Sequence, residues 1–138
     1  MSESFLLYSS HFITTEELIE ILRQAGGVVT LEGPRFGRVS HHRSHIWISP
    51  IDCDEGVVDE EDLKEVAQVN ALLGAQCRSC ISIKVSSTPG SQRLAVHFAS
   101  TCGSQWPCVI DNLHGQFFSW EEIKRLHRED GGFTTYGL

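Results

Sequence analysis

A chain of 138 residues, 41% hydrophobic and 21% charged, has the make-up of one soluble globular domain, long enough to bury a core without disulfides or a structural metal. Its net charge of −7 and pI near 5.4 argue against a nucleic-acid binder, which needs a basic stripe, and against docking on an anionic membrane. No apolar run reaches the roughly 18 residues that a membrane span requires.

The opening stretch MSESFLLYSSHF has no basic segment ahead of a long apolar one, so a cytoplasmic location is expected. Cys53, Cys77, Cys80, Cys102 and Cys108 are an odd count, which suits reduced thiols better than a disulfide scaffold.

In chain order, FLLYSS (5–10) is a short apolar run suited to a first strand. In HFITTEELIEILRQAGG, Thr14 with Glu17 has capping-box spacing and Ile13 with Leu18 has staple spacing. Leu18, Ile21, Leu22 and Ala25 then share one face, and Gly26-Gly27 stops a helix predicted over 15–25. VVTLEG (28–33), FGRVSH (36–41) and SHIWIS (44–49) predict a three-stranded meander with HHRS as the last connection.

An acidic loop follows and becomes a helix capped by Asp59, with Leu63, Val66, Ala67, Asn70 and Leu73 along one side and Gly74 at its end. CRSCISIKVSS alternates as a strand. Residues 93–102 fit either a helix capped by Ser91 or a strand, and the recurrence of apolar pairs favours the helix. CVIDN and QFF pair as two short strands. Ser119 with Glu122, and Phe118 with Ile123, then repeat the double helix-start signature, with Trp120 expected to pack over the sheet. The expectation is a single α+β domain over 1–138: a mixed, mostly antiparallel curved sheet with about four helices packed on it, and residues 131–138 as a loose tail.

Three clusters invite chemistry. His41, His42 and His45 could suggest a metal, but adjacent residues in an extended chain point to opposite faces, so a polar turn is the simpler account. Cys77-x-x-Cys80 is one pair where a zinc ribbon needs two, and it leads into a strand rather than opening a helix as a thioredoxin-like site would. Cys102 or Cys108, His97 or His114, and Asp111 could supply a nucleophile, base and acid. No nucleophile elbow or glycine-rich phosphate cradle accompanies them, so no catalytic residue and no cofactor is assigned.

The acidic run differs in kind. Asp52, Asp54, Glu55, Asp59, Glu60, Glu61, Asp62 and Glu65 stand against a lone Lys64, without the ligand spacing of a calcium loop. The last of them suit a helix N-terminus. The first three have no such local role, and together the eight would steer a cationic partner toward this segment.

LEGPRFGRVSHHRSHIWIS and LAVHFASTCGSQWPCVIDNLHGQFFSWEEIKRL, the latter with W-P and V-x-D-N-x-x-G ahead of a capped helix, resemble immunity proteins of bacterial polymorphic toxin systems, of the contact-dependent inhibition or type VI secretion kind. The resemblance covers somewhat over a third of the chain. It implies a small cytosolic non-catalytic protein that binds and neutralises one cognate toxin, a nuclease being one candidate. Joined to the acidic run, it leads to the expectation of a basic toxin domain as partner, with no nucleic acid and no membrane. The competing expectation is a small Cys/His metal-binding protein or enzyme.

Overall fold

The computed structural model describes residues 3–32, 35–51, 60–88 and 90–133. Within them the chain forms β1 (Glu3–Ser9), α1 (Thr15–Gln24), β2 (Gly27–Glu32), β3 (Arg35–His41), β4 (Ser44–Ile51), α2 (Glu60–Leu73), β5 (Ser79–Val85), α3 (Ser91–Gly103), β6 (Cys108–Asp111), β7 (Phe117–Phe118) and α4 (Trp120–Arg128). This is the order that the residue pattern predicts, in an α+β domain. The strands make one seven-stranded sheet, β2-β3-β4-β5-β1-β6-β7. Each neighbouring pair is antiparallel, so the sheet is not mixed.

Alternation along the strands gives the sheet two different faces. One carries Phe5, Leu7, Ile46, Ile48, Ile81, Ile83, Val85 and Ile110, which pack under α1, α3 and α4 in the main core. Removing such side chains from water contributes roughly 1.5–3 kcal/mol each.

The helices start where their capping residues direct. The Thr14 hydroxyl accepts the Glu17 N–H at 3.2 Å, and the Glu17 carboxylate accepts the Thr14 N–H at 3.0 Å. That backbone N–H, joined by the His11 ring, holds the Glu17 carboxyl below its ordinary range. Ser119 and Glu122 make the same reciprocal pair at α4, with Phe118 and Ile123 buried beside it.

Residues 91–103 are helical, and Ala95, Val96, Phe98, Ala99 and Cys102 are buried from that helix. Ser91 is not its cap. Gly90, at φ 92°, takes that position. The Ser91 hydroxyl is instead buried, where it accepts the His45 N–H at 3.2 Å and meets the Ser86 hydroxyl, pinning α3 to the strand ends.

Two expectations change. Phe133 is not part of a loose tail: it is fully buried against Phe5 and Phe118, and its carbonyl accepts the Asn112 side-chain N–H at 2.8 Å. Residues 134–138 lie outside the described residues. Trp120 packs against the edge of the core and lies over Gly103 of α3, where a Cβ would collide with its ring. α2 does not join the other helices. Beside β6, it covers the face bearing Tyr8, Cys80 and Val109, and it turns inward on Val69 instead of on Val66 and Ala67.

Candidate binding surface

The surface centred on α2 is the place where the acidic run meets described structure. Asp52, Asp54, Glu55 and Asp59 lie outside the described residues, as does the proposed Asp59 cap. Glu60, Glu61 and Asp62 occupy the first turn of α2, and their side chains are likewise outside. Glu65 is exposed on the helix. Its carboxylate is among the charges that push the Tyr8 hydroxyl up, although burial of that ring contributes most and Cys80, Asp111 and Cys77 come before it.

From Lys64 to Leu73 the helix buries Val69 alone; Asn70 and Leu73 are half-buried. Val66 is 37% exposed and Leu72 is 44% exposed. A helix lying on a sheet ordinarily buries a stripe about 100° wide. Between Lys64 and Leu73 this one leaves Val66, Ala67, Ala71 and Leu72 exposed, with Glu65 among them. The α2 C-terminus is held by Asn70, whose side-chain oxygen accepts the Cys77 N–H at 2.8 Å.

The chain on either side of α2 borders a groove of about 660 Å³ lined by Phe12, Ile13, Leu18, Pro50, Ile51 and Gln76–Ile81. Ile51 is the last residue of β4, directly ahead of Asp52, and Gln76 lies just past the end of α2. Phe12 is 65% exposed on the groove's lip and Ile51 is 40% exposed. Sequence reasoning missed this groove. Its walls come from the β1–α1 connection, β4 and β5, and nothing local in the chain announces that they meet.

The chemistry-bearing clusters do not converge. His41 and His42 are exposed at the β3–β4 turn with rings 4.2 Å apart, and His42 takes a left-handed φ of 56°. His45 faces along the sheet against Trp47, at 4.4 Å. Among the described residues, no three His, Cys, Asp or Glu side chains come together as a metal site.

Cys77, Cys80, Cys102 and Cys108 are not joined in disulfides. Burial pushes the Cys108 thiol up to about 12, and it pushes the Cys102 thiol up as well, so both are protonated at neutral pH. His114 lies 3.0 Å from Glu3, and His97 lies beside His127, so neither pairs with those thiols.

The V-x-D-N-x-x-G stretch does structural work. The Asp111 carboxylate accepts the Leu113 N–H, and the Asn112 side-chain oxygen accepts the N–H groups of His114 and Gln116. Burial raises the Asp111 carboxyl above its ordinary range, against that hydrogen bond. Likewise the Pro107 carbonyl of W-P accepts the Ser9 hydroxyl at 2.7 Å, and Trp106 stacks on His11 at 5.1 Å.

Compared with known proteins, the chain matches no family model, no curated protein and no solved structure. Among the described residues no helix is long and apolar enough to cross a membrane.

Proposed function

We propose that this chain is a non-catalytic immunity-type protein that binds one cognate toxin domain of a bacterial polymorphic toxin system and neutralises it. The toxin domain presents a basic cleft, and the carboxylates of 52–65 occupy the positions that anionic groups of its substrate would otherwise take. A nuclease is the cationic-cleft enzyme that fits this chemistry best, and the cytoplasm is where such protection acts.

The observation that carries the reading is the flank of α2, where Glu65, Val66 and Leu72 stand exposed around Val69, the one buried residue between Lys64 and Leu73. Tight interfaces combine a few desolvated apolar anchors with charges that speed encounter. The sequence resemblance to immunity proteins points the same way.

The gene next to this chain's own is expected to encode a large protein ending in a basic domain, which supplies the test. Replacing Val66 and Leu72 by aspartate should lower the unfolding free energy from urea titration by about 1 kcal/mol or less, because both are surface positions. The same change should weaken the complex with that domain by about 2 kcal/mol or more, roughly thirtyfold, as measured by calorimetry. Unchanged affinity would move the contact off α2.

A further inference from the structure

A second surface, on the same sheet face as α2 but toward the β2 edge of the sheet, has the opposite electrostatics. The register sets Arg38 of β3 beside Trp47 of β4, and Trp47 beside Lys84 of β5. The Trp47 side chain therefore starts between those of Arg38 and Lys84 on one face, with neighbouring strands about 4.8 Å apart. Arg38 and Lys84 are exposed, and Trp47 is half-buried. His45 lies against Trp47, and the next row places Ser49 beside Ser82. The helices of the main core pack on the opposite face. β3, β4 and β5 contain no aspartate or glutamate.

Net charge hides this strip. Taking the eight carboxylates of 52–65 and Lys64 out of the 18 acidic and 11 basic residues leaves ten of each, so the rest of the chain is balanced.

We propose that the Arg38–Trp47–Lys84 strip is a binding platform for single-stranded nucleic acid, with a base stacked on Trp47 and the flanking phosphates held by Arg38 and Lys84. Unpaired bases stack on aromatic side chains whatever their identity, and adjacent cations follow the backbone. An acidic peptide would satisfy the two cations but offer the indole no base to stack on. Hydroxyls at Ser49 and Ser82 add donors for phosphate and sugar oxygens.

The test is a fluorescence anisotropy titration of the full chain with fluorescein-labelled oligo-dT and oligo-U dodecamers. Two phosphate contacts predict that affinity falls about sevenfold between about 50 and 200 mM salt. Trp47→Ala should weaken binding at least fivefold while Trp47→Phe retains most of it, since stacking is worth about 1–3 kcal/mol per base. Arg38→Glu with Lys84→Glu should abolish binding. Arg93→Glu, an exposed reversal on α3, should leave it intact.

No anisotropy change up to about 100 µM protein, the weak end of non-specific affinity, would overturn the proposal. So would equal losses from Arg93→Glu and the double reversal, or equal affinity for a labelled oligo-glutamate peptide. Circular dichroism of each variant separates lost binding from lost folding.

Discussion

Phe133→Ala is expected to lower unfolding free energy by about 3–5 kcal/mol, the range for deleting a buried aromatic ring. The ring is fully buried, edge-on to Phe5 at 5.3 Å and tilted against Phe118 at 5.2 Å. It joins the start of β1 to β7, elements far apart in the chain. Since a domain of this kind has a total stability of about 5–15 kcal/mol, the loss is a large share of it. Urea unfolding reads the effect directly: the midpoint should drop while the slope stays constant. A change below about 1 kcal/mol would mean that residues 131–133 are as loose as their sequence suggests.

The second large effect is an alkaline transition. Unfolded cysteines ionise near pH 9, whereas in the folded chain burial moves Cys108 up to about 12. Cys102 is also pushed well up, by burial first and then by the nearby Cys108. The folded state therefore keeps protons that the unfolded state has already lost. That stability is fully present below pH 9 and disappears as pH rises from about 9 toward 12. Each pH unit separating the folded from the unfolded ionisation corresponds to about 1.36 kcal/mol, so Cys108 alone accounts for about 4 kcal/mol at the top of this window.

Tyr8, raised from 10.0 chiefly by burial, adds to the same slope from about pH 10 upward. Urea midpoints measured from pH 8 to pH 11 should fall steeply in the parent. They should fall less in a chain with both Cys102 and Cys108 replaced by alanine. Parallel profiles would mean that the two thiols are not protonated and enclosed as described.

Much of the fold is legible in the residues. The strands of the meander alternate, and two helix starts carry both a cap and a staple, with both capping boxes built in the structure. Residues 93–102 fit both periods on paper, and the pairs Ala95-Val96 and Phe98-Ala99, all buried, belong to the helical one. α2 was harder to read. Between Lys64 and Leu73 its one buried residue is Val69, where the helix lies beside β6 on the second face.

Phe133 follows two glycines that end a helix, and a single anchoring ring has no periodicity to detect. The groove and the cationic strip were invisible for a different reason. Both depend on β5 inserting between β4 and β1, a pairing that no local pattern encodes. The acidic run is plain in the sequence, yet of its eight carboxylates only Glu65 has a described side chain.

The central claim is that the acidic segment captures a cationic toxin domain, and stopped-flow association with the basic domain encoded beside this chain tests it most directly. With the parent chain, the association rate should fall by more than tenfold between low and high salt. Reversal of Asp54, Glu55, Glu60 and Glu61 to lysine should slow association at low salt and remove that dependence. A reversed chain that associates as fast, with the same salt profile, and protects cells as well as the parent would contradict it.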